Sequence, residues 1–436
     1  MYRTSNYNYV VECESEVILY NSLSDTPFVF LNDEFTKIQE LLIDLSTFEE
    51  LYKGIFESFV KGGFIIDTDF SELEFIKIQN KRKIYSDSGY HITINPTLDC
   101  NVQCWYCIVK EEKADYKNTI MSSNTVEKVK KLLYNKIINE NVKSLHLAWF
   151  GGEPTMYYQD VVKPICMYLE SLKSKRPVSI ENSITTNATL LSIEMLKEMR
   201  EFNFKSFQIP IDGNRRKHDS VKHMEGLGTY DSVMMNIHNI RRFLPNSHIT
   251  IRINYDRQTL KNIEEIIQDL PEPSTYISLD FQRVWQIPLK DDEYELLLEA
   301  KKRFSNLGYS NGYWAYVPCR FYRCYADKYN YFVINYDGNI FKCAARDYSE
   351  ESKLGHINDD GNILENKQMI SQMYSKCTFE NKKCMECKHL PLCFGPCIQK
   401  NYERSLVGEE PECIFSSTEM SINSFIIERT KEMNLL

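Results

Sequence analysis

Three cysteines in one short loop carry the clearest chemical signal in this sequence. Cys100, Cys104 and Cys107 follow the spacing CxxxCxxC, with Tyr106 directly before the last of them. A [4Fe–4S] cluster normally takes four thiolates, so a loop that offers three leaves one iron open to a small molecule. Zinc sites favour CxxC pairs from two separate knuckles, which this loop does not offer. The spacing predicts an iron–sulfur cluster with one open iron; the alternative is three buried structural cysteines.

A second group of cysteines occupies the C-terminal part of the chain. Its members are Cys319, Cys324, Cys343, Cys384, Cys387, Cys393, Cys397 and Cys413. Residues 317–415 contain few long periodic segments, so we expect a small fold held by metal. Two zinc knuckles built from the four cysteines between 384 and 397 are the alternative, but they leave the other four without a role.

Composition and charge narrow the class of protein. The chain has 436 residues, 43% hydrophobic and 26% charged, which is typical of a globular protein of two or three domains. Its net charge of −9 argues against a nucleic-acid partner. Neither a signal peptide nor an apolar stretch of roughly 18 residues is present, so we expect no membrane partner. Fourteen cysteines in such a chain are more typical of metal ligands than of disulfides, and we expect a reducing cytoplasm.

Strands and helical patterns alternate between residues 90 and 290. The predicted strands are 91–95, 144–150, 178–185, 204–211, 248–255 and 276–285. This alternation implies parallel βαβ units, and six of them make an α/β fold that is a partial version of the eight-fold barrel. In such barrels chemistry takes place at the C-terminal ends of the strands.

Several polar and glycine motifs lie at or just past these strand ends. They are Gly151-Gly152-Glu153-Pro154 after the second strand, Asn187 after the third, Asp212 after the fourth and Arg252 within the fifth. Glycines let a backbone approach a ligand closely. An arginine that points into a barrel is costly unless paired, so Arg252 needs a carboxylate from a ligand or from the barrel rim.

The cysteine loop, its aromatic residue and the GGEP run resemble the radical SAM superfamily. The resemblance implies that S-adenosylmethionine (SAM) chelates the open iron held by Cys100, Cys104 and Cys107, and that reductive cleavage of SAM produces a 5′-deoxyadenosyl radical. The SAM contacts that it implies are Gly151, Gly152, Glu153, Pro154, Asn187 and Asp212. We expect Arg252 to pair with the SAM carboxylate. Tyr106 is expected to pack near the adenine; a core aromatic is the alternative. Pro210 stands where peptide-modifying members often have serine, so only Asp212 is carried over from that motif.

The C-terminal cysteines resemble the SPASM domain found on many peptide-modifying radical SAM enzymes. The resemblance implies two auxiliary [4Fe–4S] clusters, and therefore three clusters in all. The ligands would be Cys319, Cys324, Cys343 and Cys397 for the first auxiliary cluster, and Cys384, Cys387, Cys393 and Cys413 for the second.

The predicted organisation has three domains. Residues 1–88 form an α+β domain with three short strands followed by three helices, the last capped by Ser71. This order of elements resembles the winged-helix domains that bind leader peptides. The alternative is that residues 1–88 form a covering domain that binds no ligand. Residues 89–300 form a partial (β/α)6 TIM-like radical SAM core, and 301–436 a bridging region, the SPASM domain and a C-terminal helix.

These resemblances imply a radical SAM oxidoreductase that modifies a ribosomally synthesised precursor peptide with a leader. Its electrons would come from a reductant such as flavodoxin or ferredoxin, and its product would be a thioether, C–C or C–O cross-link or an epimer. One alternative is an anaerobic sulfatase-maturating enzyme, which commonly has an aspartate directly after the second SPASM cysteine. Here Ala344 follows Cys343, and the nearest aspartate is Asp347. Another alternative is a non-enzymatic, metal-stabilised binding protein, which predicts zinc and no SAM.

Overall fold

The computed structural model describes residues 1–86, 89–107, 109, 119–284, 286–288, 292–311, 324–346, 348–375, 378–417, 421–433 and 435–436. The chain forms two compact units. The first comprises Met1–Tyr85, Tyr316–Asp327 and Ser371–Leu436; the second comprises Ser86–Ala315 and Lys328–Ile370. The predicted division into three sequence domains stays a prediction, because one compact unit can draw on several sequence domains.

The N-terminal part of the first unit contains the three predicted strands and two more, and it has four helices where three were predicted. Its elements are β1 Tyr2–Thr4, β2 Asn8–Glu12, β3 Glu16–Asn21, β4 Thr26–Leu31, α1 Asn32–Ile43, α2 Leu45–Leu51, α3 Lys53–Lys61, β5 Ile65–Asp67 and α4 Glu72–Ile84. Strands β2, β3 and β4 form an antiparallel sheet, and β1 pairs with β5. Ser71 caps α4 by accepting a hydrogen bond from the Glu74 amide, as its side chain predicts.

The second unit contains one large sheet and a separate two-stranded antiparallel sheet within residues 223–228. Its strands are β6 Tyr90–Ile94, β7 Ser144–Trp149, β8 Ser179–Thr185, β9 Phe204–Ile211, β10 His223–Met224, β11 Leu227–Gly228, β12 His248–Tyr255, β13 Ile277–Arg283, β14 Ser310–Asn311, β15 Tyr331–Ile334, β16 Asn339–Phe341, β17 Lys353–Ile357 and β18 Ile363–Glu365. Its helices are α5 Ser123–Tyr134, α6 Lys163–Lys173, α7 Ile193–Glu201, α8 Arg215–Val221, α9 Tyr230–Phe243, α10 Arg257–Lys261, α11 Ile263–Asp269 and α12 Glu293–Asn306, and α13 Lys367–Ser375 continues into the first unit.

The sheet confirms the predicted α/β core. Its order is β14-β13-β12-β9-β8-β7-β6-β15-β16-β17-β18, and the pairs from β14 to β6 are parallel. All six predicted core strands are present, as β6, β7, β8, β9, β12 and β13. Four strands beyond residue 330 were not predicted: β15 pairs with β6 in parallel, and β16 to β18 follow as an antiparallel meander.

The burial pattern of β12 explains how the core strands present polar groups. Ile249, Ile251 and Ile253 are fully buried on one face of the strand. Arg252 and Asn254 lie on the opposite face because side chains alternate along a strand. Since the core strands are parallel, their C-terminal ends meet at one edge of the sheet, where the predicted site residues collect.

The C-terminal part of the first unit is made of short helices. They are α14 Lys382–Met385, α15 Leu390–Cys393, α16 Ile398–Leu406 and α17 Ile422–Glu432. Leu390 and Phe394 join Tyr7, Leu23 and Ile76 in one hydrophobic cluster, so the cysteine-rich segment and the N-terminal elements share a core. Within the described part of the chain, no helix has the length and apolar character needed to cross a membrane.

Candidate active site

The cysteine loop begins directly after β6 and is held by its own polar side chains. The Asp99 amide donates to Thr97 Oγ1 at 2.8 Å, and the Cys100 amide donates to Asp99 Oδ1 at 2.8 Å. Cys100, Cys104 and Cys107 are half-buried and form no disulfide with another described cysteine. The loop is therefore fixed at its start while its three sulfurs stay partly accessible.

Gly151 and Gly152 let the loop after β7 lie against the base of the cysteine loop. The Gly152 amide donates to the Thr97 carbonyl at 3.0 Å, and the Glu153 amide donates to the Asp99 carbonyl at 2.9 Å. Gly151 has φ +112°, and a Cβ on either glycine would overlap a backbone carbonyl, that of Thr97 or of Asp99. The close approach that the glycines permit is to the chain's own backbone, and their predicted contact with SAM stays a prediction.

Glu153 links the ends of β7 and β8. It is completely buried and accepts hydrogen bonds from the Thr155 amide at 3.0 Å, the Thr186 hydroxyl at 2.8 Å and the Asn187 amide at 2.7 Å. Burial raises the pKa of Glu153, whereas these donors act in the opposite direction. Pro154 follows as the first residue of a buried 3₁₀ turn, Pro154–Tyr157. The carboxylate thus organises the two loops around the cysteines.

Asn187 connects the end of β8 with the cysteine loop. Its Nδ2 donates to Asn101 Oδ1 at 2.9 Å and lies 3.7 Å from Cys100 Sγ. Its Oδ1 accepts from the Thr189 amide at 3.0 Å. Asn187 is therefore beside a predicted iron ligand.

Tyr106 and Asp212 meet at the end of β9 in a buried polar cluster. The Tyr106 hydroxyl donates to Asp212, and Asn254 Nδ2 donates to the same hydroxyl at 2.9 Å. Lys222, which follows α8, donates to Tyr106 Oη at 2.7 Å and forms an ion pair with Asp212. Burial lowers the pKa of Lys222, but the charges of Asp212, Tyr106 and Cys104 and the hydrogen bond to Asp212 together more than offset this, and the net pKa is raised.

Lys222 is the main site residue that sequence reasoning missed. Its side chain is 5% exposed, and that of Asp212 is 2% exposed. The local sequence, Val221-Lys222-His223, carries no signal that separates it from a surface lysine. The ion pair with Asp212 appears only in the fold.

Arg252 lies on the same face of β12 as this cluster. Its Nε donates to Asn254 Oδ1 at 3.2 Å. Among the residues that the structure describes, Arg252 makes no ion pair, so the alternative of a rim carboxylate partner has no support there. Its predicted role as partner of the SAM carboxylate remains a prediction.

Four cysteines of the second predicted auxiliary cluster lie in electrostatic range of one another within the first unit. Burial raises the pKa of Cys384, and the charges of Cys387 and Cys413 raise it further. Burial raises the pKa of Cys393 to about 12, with a contribution from the other three thiols.

The ligands predicted for the first auxiliary cluster are described only in part. The Asp327 amide donates to the Cys324 carbonyl at 2.9 Å, and Asp327 Oδ1 accepts from the Ile398 amide at 3.1 Å, directly after Cys397. Asp327 therefore links the backbone carbonyl of Cys324 to the amide that follows Cys397. Cys343 belongs to the second unit, and Cys319 lies outside the described residues, so this ligand set stays a prediction.

The sulfurs of several predicted ligands accept hydrogen bonds from the backbone two residues further along. In each pair a backbone N–H donates to Sγ. The pairs are the Val102 amide with Cys100 Sγ at 3.5 Å, the Ala345 amide with Cys343 Sγ at 3.4 Å, the His389 amide with Cys387 Sγ at 3.4 Å and the Gly395 amide with Cys393 Sγ at 3.3 Å. Cys166, which was not predicted as a ligand, instead donates its S–H to Asn182 at 3.9 Å. An N–H donor stabilises the thiolate, which is the form that binds iron.

The chemistry of the predicted ligands fits iron–sulfur clusters. Every one of them is a cysteine, and thiolates are the ligands that a [4Fe–4S] cluster takes. In the described ranges, no three Cys, His, Asp or Glu side chains converge as the ligands of one metal ion would. Cysteines also bind zinc, so the three clusters stay a prediction.

Comparison with known proteins identifies the class. Residues 94–270 match the Radical SAM superfamily. The chain therefore contains a radical SAM domain, whose class uses a [4Fe–4S] cluster and SAM. The matched range begins at the end of β6 and contains the cysteine loop, the GGEP run, Asn187 and Asp212.

Individual relatives extend this similarity beyond the matched domain. The radical SAM cyclopropyl synthase TigE of Paramaledivibacter caminithermalis is 24% identical over 408 residues, which are 85% of this chain and 81% of TigE. Native anSMEcpe with bound AdoMet has a TM-score of 0.57 at 19% identity, covering 79% of this chain and 97% of that chain. SuiB of Streptococcus suis bound to the precursor peptide SuiA has a TM-score of 0.53 at 17% identity, covering 96% of this chain and 100% of that chain. At these identities the two structures share the fold with this chain.

Proposed function

We propose that this radical SAM enzyme is a peptide maturase that oxidatively modifies a ribosomally synthesised precursor peptide. The observation that carries the proposal is the contact of the cysteine loop with the ends of two strands, through Asn187 beside Cys100 and through Asp212 bound to Tyr106. A cluster ligand loop tied to neighbouring strand ends is the arrangement expected of a cofactor site at the C-terminal edge of a parallel sheet. The precursor peptide bound to SuiB, whose fold this chain shares, supports this substrate class.

The chain's own residues would hold and shield the cofactors. Cys100, Cys104 and Cys107 would bind a [4Fe–4S] cluster, and Arg252 would pair with the SAM carboxylate. When bound, the cluster and SAM supply a 5′-deoxyadenosyl radical that abstracts a hydrogen atom from carbon. Asn187 would donate toward the Cys100 thiolate, and the contact of half-buried Tyr106 with buried Asp212 would keep water from the site.

The proposal includes two auxiliary clusters, a leader-binding N-terminal domain and a flavodoxin or ferredoxin as reductant. The auxiliary ligands would be the eight C-terminal cysteines assigned above. The shared core of the N-terminal elements and the segment 390–394 supports a common role for these two parts of the chain. We expect the enzyme to work in a reducing cytoplasm.

Co-expression tests the proposed reaction. The chain is expressed anaerobically with each short peptide encoded next to its gene, and the peptide is analysed by mass spectrometry. A loss of about two hydrogens indicates a cross-link, and an unchanged mass with altered stereochemistry indicates epimerisation. SAM cleavage without any change in peptides that carry a leader would contradict the peptide-maturase proposal.

Sulfatase maturation is the second candidate, because a serine-type anaerobic sulfatase-maturating enzyme is among the sequence relatives, 28% identical over 148 residues. Ala344 stands where the aspartate of that family is expected, and Asp347 lies outside the described residues. A synthetic peptide with a sulfatase Cys or Ser motif separates the two candidates. Formation of formylglycine on that peptide would favour the second.

A further inference from the structure

A tyrosine of the N-terminal sheet lies beside a cysteine-rich loop of the same unit. Tyr9, on β2, is 6% exposed, and its hydroxyl lies 2.6 Å from His389 Nδ1. The two rings stack with centroids 5.8 Å apart and planes 16° apart. The Lys388 ammonium lies 4.6 Å from the centre of the Tyr9 ring. Tyr9 is therefore held by two consecutive residues of this loop.

His389 in turn contacts a predicted cluster ligand. Its backbone amide donates to Cys387 Sγ at 3.4 Å. Its ring centroid lies 4.9 Å from that of Phe415, two residues after Cys413. One residue thus touches the Tyr9 hydroxyl, the sulfur of Cys387 and the segment that carries Cys413.

The surrounding packing makes this contact part of a continuous core. Tyr7 and Ile76 of the N-terminal elements pack with Leu390 and Phe394, and Cys384 lies against the same cluster. The loop that holds Cys387 and Cys393 consequently has N-terminal side chains as part of its wall.

We propose that Tyr9 and His389 form an outer layer of the metal site at Cys384, Cys387, Cys393 and Cys413, and that they couple this site to the N-terminal sheet. The inference rests on the second auxiliary cluster of the proposed function. Hydrogen bonds and apolar shielding around the sulfurs set the reduction potential of an iron–sulfur cluster. Loss of the Tyr9 hydroxyl frees His389 to reorient beside Cys387 and removes its buried partner.

Redox titration of the anaerobically reconstituted full chain, followed by electron paramagnetic resonance, tests the coupling. Tyr9→Phe is compared with Tyr20→Phe, because Tyr20 is the residue paired with Tyr9 on β3 and its buried hydroxyl donates to Asp25 instead. We expect Tyr9→Phe to shift the midpoint potential of one cluster at unchanged iron content, and Tyr20→Phe to leave all potentials unchanged. The shifted signal should be the one that disappears in a Cys384→Ala, Cys387→Ala variant.

Hydrogen exchange supplies an independent measurement. We expect the Cys384→Ala, Cys387→Ala variant to exchange the amides of residues 8–12 faster than the Cys100→Ala, Cys104→Ala, Cys107→Ala variant does. Unchanged potentials in Tyr9→Phe, or equal exchange in the two cysteine variants, overturns the coupling. If the Cys384→Ala, Cys387→Ala variant keeps all of its iron, the auxiliary cluster itself is wrong, and the inference falls with it.

Discussion

Lys222 forms a buried ion pair with Asp212 at the C-terminal end of β9. Their side chains are 5% and 2% exposed, and the Tyr106 hydroxyl contacts both. A buried charge is tolerated only when it is paired, so the three side chains depend on one another. The pair fixes Tyr106, and Tyr106 is the residue before Cys107.

Breaking this pair should destabilise the protein strongly. Lys222→Met leaves the Asp212 carboxylate buried without its partner, which costs about 3–5 kcal/mol. Lys205→Met, an exposed lysine on β9, should change the unfolding free energy by less than about 0.5 kcal/mol. Anaerobic urea unfolding measures both. If both variants lose the same small amount of unfolding free energy, the Lys222–Asp212 pair contributes little to stability.

Two glycine substitutions should change the free energy of unfolding in opposite directions. Gly152→Ala places a Cβ against the Asp99 carbonyl and must displace the cysteine loop, so we expect a loss of at least about 2 kcal/mol together with weaker SAM binding. Gly54→Ala, in α3, meets no atom within 4 Å and should stabilise the chain by up to about 1 kcal/mol. Thermal unfolding and equilibrium dialysis with SAM measure the two effects. A Gly152→Ala variant with wild-type SAM affinity would contradict the tight contact between the two loops.

Acidification should destabilise the second unit through His218. Burial lowers the pKa of His218 to about 4, below its usual value of 6.5. The unfolded chain then binds more protons, so the contribution of His218 is present above about pH 6.5 and is lost as the pH falls toward 4. Between about pH 7 and pH 5 this loss is about 2 kcal/mol.

A variant at an exposed histidine is the control that isolates the contribution of His218 to the pH dependence. His218→Gln should reduce the pH dependence of the unfolding free energy, whereas His238→Gln, at an exposed position on α9, should preserve it. Urea unfolding at the two pH values measures both variants. Identical pH dependence in His218→Gln and the wild type would refute this assignment.

Local patterns predicted the core because they are set by nearby residues. The alternation of apolar and polar residues along β9 and β12 is visible in the sequence, and both strands match the predicted ranges. The short β15 was missed because four buried residues in a cysteine-rich segment give little periodicity. Its pairing with β6 depends on residues that are distant in sequence.

For the candidate active site, too, local sequence patterns predict the marked motifs and miss the contacts between distant residues. The cysteines and the GGEP run are marked by type and spacing, so they could be found in advance. The backbone contact of Gly152 with Thr97, the Lys222–Asp212 pair and the Tyr9–His389 bond join residues whose local sequences are ordinary. Such contacts are decided by tertiary packing and appear only in the structure.

Iron content measured together with SAM cleavage tests the central claim most directly. The anaerobically reconstituted wild type should hold about twelve irons per chain and release 5′-deoxyadenosine on reduction. The Cys100→Ala, Cys104→Ala, Cys107→Ala variant should keep about eight irons and cleave no SAM. Cys13→Ala, a half-buried cysteine that was not predicted as a ligand, should behave as the wild type. A colourless zinc protein, or a triple variant that still cleaves SAM, would contradict the account.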